Sequence, residues 1–318
     1  MKIVALDGET LNPGDLSWEE FEKLGEITVY ERTPMDQILE RSKDADILLT
    51  NKTPIREEVI AKFPRLRYIG VMATGYDCVD VNAASDKGIV VTNVPEYGTD
   101  SVAQMAIALL LELCHHVQLH SDAVLQGEWS RSKDFCFTLT TQIELKGKIM
   151  GIVGFGRIGK QVARIANALG MKVIVSDKIK QDIENMPELE WVEKNELLQR
   201  ADVISLHCPL FPDTKEMINK ESIAEMKSSA FIINTSRGAL IKDTDLAEAL
   251  NNGNIAGAGL DVLSVEPPIE GNPLIGAKNC IITPHIAWAT KEARGRLMNK
   301  LLENLKAFIN DKPQNVVS

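Results

Sequence analysis

Short β-branched runs alternate with amphipathic stretches along almost the whole chain, and the alternation starts twice. In the first hundred or so residues, KIVALD, ITVYER, DILLTN, LRYIGVM and IVVTNV read as strands. Between them, SWEEFEKLG, PMDQILERSKDA, REEVIAKF and DVNAASDKG space their apolar residues as helices do. Strands separated by helices cannot pair as hairpins. They form a parallel sheet whose two faces the helices cover. The first half therefore predicts an α/β unit complete in itself.

Next comes DSVAQMAIALLLELCHHVQLHSDAVLQ, read as one long buried helix capped by Asp100 or Ser101. From GKIMGIVGFG the alternation begins again, with MKVIVSD, ADVISLHCPL, SAFIINTS, IAGAGLDV and NCIITPH as strands. The last stretch, TKEARGRLMNKLLENLKAFIND, is helical and by topology returns to the first unit. The expected division is 1–99 plus 288–318 for one discontinuous domain and 100–287 for the other, with a cleft between them.

Bulk properties exclude some functions. A net charge of -10 argues against nucleic acid or an anionic membrane as partner, since both select basic surfaces. No apolar run nears the roughly 18–20 residues that span a bilayer, and MKIVALDGET reads as a first strand rather than a secretory signal. Cys78, Cys114, Cys136, Cys208 and Cys280 are scattered and lack CxxC spacing, which predicts free thiols in a reducing cytoplasm and no metal framework.

The chemistry begins at GIVGFGRIGKQ, residues 151–161. A strand runs into Gly154-x-Gly156-x-x-Gly159 and out into a helix. Glycines there allow a tight turn, close approach of a pyrophosphate to the backbone, and close helix–strand packing. The following strand ends at Asp177, whose carboxylate can hold the adenosine ribose hydroxyls and repel a 2′-phosphate. NAD(H) is the expected cofactor, with NADP(H) the lesser alternative because Lys178 sits alongside.

Candidates for proton transfer are few. His115, His116 and His120 lie on the predicted long helix and read as packing or solvent residues, and His207 as strand-end packing. His285 follows CIITP at the carboxyl end of a strand, where open α/β sheets bind ligands. That position alone does not single it out. Two other strand ends do: FIINTSRG delivers Arg237, and the stretch from AGAGLDV to SVEPP delivers Asp261 and Glu266. An arginine fork can hold a carboxylate and a carbonyl, and Glu266 can fix the tautomer of His285 for acid–base work.

Taken together, MATGYDCVDV, NVPEYGTDSVAQ, LKGKIMGIVGFGRIG, SLHCPLFPDT, NTSRGALI, AGAGLDVLSVEPP and TPHIAWAT resemble the D-isomer-specific 2-hydroxyacid dehydrogenases over essentially the whole chain. The resemblance implies two Rossmann-like doubly wound domains, hydride exchange between NAD(H) and a small 2-keto acid, and a homodimer built on the connecting region. It makes Arg237, Glu266 and His285 the catalytic set, and the backbone of Ala73, Thr74 and Gly75 the grip on the substrate carboxylate. Arg157 and Ile158 would meet the pyrophosphate, and Asp177 the ribose. Thr235 and Asp261 would meet the nicotinamide side, while Pro209 and Thr214 line the cofactor.

Within the family, TNK, ATGYD and His285-Ile-Ala-Trp288 look most like glycerate dehydrogenase/hydroxypyruvate reductase. Trp288 reads either as narrowing the pocket for a small substrate or as plain packing. The alternatives are a D-3-phosphoglycerate dehydrogenase and a non-catalytic NAD(H)-sensing protein of the corepressor type.

Overall fold

The computed structural model describes residues 1–180 and 189–318. The chain divides into two compact units, Met1–Gly98 with Trp288–Ser318, and Thr99–Ala287.

The first unit holds five parallel strands: β1 Lys2–Ala5, β2 Glu26–Val29, β3 Ile47–Thr50, β4 Tyr68–Val71 and β5 Val90–Thr92. They lie in the order β2-β1-β3-β4-β5, so the chain reverses its direction of winding between β1 and β3. Alternation along the strands loads both faces. Val4, Leu6, Leu48, Ile69 and Val91 share one core with Ile38, Ile60 and Ala84. Ile3, Ala5, Ile47, Leu49 and Tyr68 share the other with Phe21 and with Leu297, Leu301 and Leu305 of the helix Lys291–Ile309.

Among the described residues the second unit holds seven parallel strands: β6 Ile149–Val153, β7 Lys172–Ser176, β8 Glu190–Trp191, β9 Val203–Leu206, β10 Phe231–Asn234, β11 Gly257–Leu260 and β12 Cys280–Ile282. Their order is β12-β11-β10-β9-β6-β7-β8, with the winding reversed between β6 and β9. Met150, Ile152, Val173, Val175 and Ile233 pack against Leu109, Leu110 and Leu113 and against Val162, Ala163 and Ala166. On the opposite face, Ile174, Ile204, Ile232 and Leu260 meet Leu197, Ile223, Leu246 and Leu250. The two-residue β8 is too short to leave a periodic signal and is not among the strands expected from sequence.

The predicted long helix is two helices, a correction to the sequence reading. Thr99–His115 buries one face, including Ala103, Leu110 and Leu113, and Val117–Leu125 leaves it at 55°. The break is His116 alone, in the left-handed region at φ 44. Periodicity cannot reveal it, because apolar residues continue past it. The difference lies in what they meet: Val117, Leu119, Val124 and Leu125 are exposed. Asp100 and Ser101 lie inside the first turn, since the helix starts at Thr99. Among the described residues no single helix is long and apolar enough to cross a membrane.

Candidate active site

Every residue nominated in the second unit follows the carboxyl end of a strand in one sheet, the edge at which doubly wound folds hold ligands. After β6, the three glycines serve different ends. Gly154 has φ +91, and a Cβ there would lie 2.5 Å from Cys208 N, so it permits both the turn and the approach of the strand-β9 loop. A Cβ on Gly159 would sit 2.3 Å from Gly154 O, which makes it the packing glycine. A Cβ on Gly156 would meet nothing within 4 Å, so its side of the loop is open.

The helix Arg157–Ala168 starts directly after Gly156 with no side-chain cap, and the amides of such a first turn favour an anion. Asp177, one residue past β7, accepts the Phe155 N–H at 2.5 Å and remains exposed. It therefore ties the glycine loop to the neighbouring strand and keeps a carboxylate at the surface. Lys178 is paired with Asp213 at 2.6 Å, so its cation is already engaged, though both groups are exposed and such pairs are weak.

After β9, Thr214 Oγ1 donates to Pro209 O at 2.8 Å and accepts the Phe211 N–H at 2.7 Å, closing the loop on itself. His207 bonds to Ser205 Oγ at 2.8 Å through Nε2, and burial pushes its ring down to about 4. Burial that disfavours the charged ring makes it a poor candidate for proton transfer near pH 7.

After β10, the fully buried Asn234 shapes the turn. Its Nδ2 donates to Arg237 O at 2.9 Å and its Oδ1 accepts the Ser236 N–H at 3.0 Å. Arg237 is exposed, and its guanidinium donates to Ser236 O at 2.9 Å. Gly238 has no room for a side chain, since a Cβ would fall 1.9 Å from the Leu263 carbonyl. The absent Cβ is what lets the Arg237 turn touch the loop carrying Glu266. Asn234 and Gly238 both lie in NTSRG, but residue type alone does not mark either for a role, since their partners come from the turn and from the Leu263 loop.

Glu266 Oε2 lies 2.5 Å from His285 Nδ1, and Glu266 Oε1 accepts the Leu263 N–H at 2.9 Å. His285 has φ 55, outside the usual range for a side-chain-bearing residue. Its backbone is held there by N–H bonds to Asp261 O and Thr283 O, both 2.9 Å.

The resemblance implies that Asp261 meets the nicotinamide side. It is 1% exposed, and its carboxylate accepts Thr283 Oγ1 at 2.6 Å, Ile286 N at 2.9 Å and Ala287 N at 2.8 Å. Those three bonds tie the side chain to the His285 loop. Thr235 is the converse: its buried Oγ1 has no hydrogen-bond partner among the described residues. A buried hydroxyl left unpaired is costly, and a bound polar group would relieve that cost. The open side of Gly156, the uncapped helix, the Asp177 carboxylate and the Thr235 hydroxyl together fit a dinucleotide.

In the first unit, Ala73, Thr74 and Gly75 follow β4. Their carbonyl side is pinned: Val94 N donates to Ala73 O at 3.0 Å, and Asn93 Nδ2 donates to Thr74 O at 2.7 Å. Thr74 Oγ1 donates to Val94 O at 2.9 Å. Among the described residues no acceptor takes the N–H groups of these three, which suits them to an anion. Trp288 is half-buried and meets Tyr97 edge to face, with ring centroids 6.3 Å apart.

Comparison with known proteins bears on this arrangement. Residues 107–287 match the family model described as D-isomer specific 2-hydroxyacid dehydrogenase, NAD binding domain. The chain is 55% identical to a hydroxypyruvate reductase of Blautia hydrogenotrophica over 321 residues, covering 100% of both. It is 42% identical to a glycerate dehydrogenase of Methylorubrum extorquens, covering 99% of this chain and 98% of that one. A solved structure of an acyclic imino acid reductase in complex with NADPH and D-Arg matches with a TM-score of 0.86 at 34% identity, covering 100% of both chains.

Proposed function

The chain belongs to the D-isomer-specific 2-hydroxyacid dehydrogenases, and on that premise we propose that it reduces hydroxypyruvate to D-glycerate, reversibly and with NADH, taking glyoxylate as a lesser substrate. It is an oxidoreductase acting at the CH–OH carbon of 2-hydroxy acids with a nicotinamide cofactor. The contact between His285 and Glu266 carries the reading of the chemistry, because it supplies an oriented acid–base group at a ligand-binding sheet edge.

The nicotinamide, when bound, supplies or takes the hydride at substrate C2. Arg237 holds the carboxylate and polarises the carbonyl with its planar fork. Glu266 occupies Nδ1 of His285, which leaves Nε2 to hand a proton to the substrate oxygen and to reclaim it in the reverse direction. Ala73, Thr74 and Gly75 offer their amides to the carboxylate. Asp261 acts through the loop that carries His285. The amides of Arg157 and Ile158 would hold the pyrophosphate, Asp177 the ribose and Thr235 Oγ1 the nicotinamide end, while Pro209 and Thr214 would line the cofactor.

The exposed Asp177 carboxylate and the engagement of Lys178 with Asp213 support NADH over NADPH. The 55% identity to hydroxypyruvate reductase supports the substrate, and a bulky Trp288 supports a small one. A homodimer through residues 117–139 is supported by the apolar side chains exposed there, including Leu125 at 82% and Phe135 at 89%. Five free cysteines support a cytoplasmic setting.

The test follows NADH oxidation with hydroxypyruvate, 3-phosphohydroxypyruvate, glyoxylate and pyruvate. The expected result is a kcat/KM at least tenfold higher for hydroxypyruvate, about 1.4 kcal/mol of transition-state binding. Preference for the phosphorylated acid would make the protein a phosphoglycerate dehydrogenase. NADH binding without turnover of any keto acid would favour the sensing role.

A further inference from the structure

A buried polar residue sits where the fold needs none. Asn304 lies in the helix Lys291–Ile309 with 0% exposure, between core residues Leu301 and Leu305. A buried side-chain amide is costly unless both its ends are paired, and an apolar residue would pack there at no such cost. Both ends of Asn304 are paired. Its Nδ2 donates to Asn93 O at 2.8 Å, and its Oδ1 accepts Asn315 Nδ2 at 2.8 Å.

Asn315 belongs to the mostly exposed tail and holds φ 54, a left-handed conformation that asparagine tolerates better than most residues. From there the tail runs antiparallel beside β5. Asn93 N donates to Asn315 O at 3.2 Å, Val316 bridges Thr92, and Val317 N donates to Val91 O at 2.9 Å. Val91 N donates to Ser318 Oγ at 3.1 Å.

The other end of this network is the loop after β4. Asn93, bonded to Asn304 and Asn315 through its backbone, donates its own Nδ2 to Thr74 O at 2.7 Å. The carbonyl of Thr74 and the N–H of Gly75 belong to one peptide plane, so fixing the first orients the second.

We propose that residues 315–318 are a strap that, through Asn315, Asn304 and Asn93, holds the Ala73–Gly75 loop with its amides presented to the substrate carboxylate. These asparagines are positioning residues, and the tail sets affinity for the keto acid rather than the rate of its chemistry. The inference rests on the reading of that loop as the carboxylate grip.

Three variants of the full chain test it: Asn315→Asp, Asn93→Ala and, as a surface control, Gln314→Ala. Aspartate tolerates the left-handed backbone as asparagine does but cannot donate to Asn304 Oδ1, so Asn315→Asp isolates the hydrogen bond. The expected result is a KM for hydroxypyruvate about three- to tenfold higher in both Asn315→Asp and Asn93→Ala, the size of one lost hydrogen bond. The kcat and the dissociation constant for NADH should be unchanged, and Gln314→Ala should match the parent. A raised KM in Asn93→Ala alone would overturn the strap and leave the loop's role standing. An unchanged KM in both variants, with only the melting temperature lowered, would overturn the strap and remove support for the carboxylate grip as well.

Discussion

Glu266 Oε2 stands 2.5 Å from His285 Nδ1, while the other oxygen of the same carboxylate accepts the Leu263 N–H. One side chain therefore fixes both the ring of His285 and the loop on which it itself sits. His285→Ala is expected to lower kcat by about 10²–10⁴-fold, the range of a positioned acid–base group. Glu266→Gln, which keeps the shape but removes the charge, should cost less. Steady-state kinetics beside NADH titration checks both, and near-normal kcat in His285→Ala would remove that residue from the mechanism.

The glycines of the dinucleotide loop should separate cleanly. Gly159→Ala places a Cβ 2.3 Å from Gly154 O, backbone that cannot yield cheaply, so its melting temperature should fall. Gly156→Ala meets nothing within 4 Å, so the fold should be untouched while NADH binds at least tenfold more weakly. Thermal melts and NADH titrations of the two variants are the measurement. Equal behaviour of the pair would contradict the division of roles.

Coenzyme choice is expected to turn on Asp177. Asp177→Ser removes the exposed charge that opposes a 2′-phosphate, and the ratio of kcat/KM for NADPH to that for NADH should rise at least tenfold. The double change with Asp213→Asn, which releases Lys178 from its ion pair, should raise it further. A ratio indifferent to position 177 would shift the selection elsewhere.

His207 gives a pH dependence of stability. Burial holds its folded value at about 4, below the ordinary 6.5, so between those values the unfolded chain binds the extra proton. Its contribution is complete above about pH 6.5 and is lost as pH falls towards 4. The variant His207→Gln should therefore lose less melting temperature than the parent between pH 7 and pH 5. Identical slopes would mean that the ring is not held neutral.

Much of this was legible in sequence because it is local. Short continuous β-branched runs specify buried parallel strands, and the strand-to-helix glycine pattern points to a phosphate loop from within eleven residues. Arg237, Glu266 and His285 are each nominated by the same logic, as polar residues that follow an apolar strand. Those signals are properties of backbone period and residue type, and they need no knowledge of what lies across the sheet.

The tertiary structure decided what those residues meet. Glu266 and His285 are 19 positions apart and touch because β11 and β12 are neighbours. Asp261 belongs to the His285 loop, and Gly238 lets two loops abut, for the same reason: strand order, not chain distance, sets contact. The bend at His116 and the tail beside β5 are single backbone choices whose stabilising partners are remote in the chain. Hydrophobic periodicity determines that elements form. Which polar groups they bring together follows only once burial has fixed the order of the sheet, and at that point each buried donor must find its acceptor.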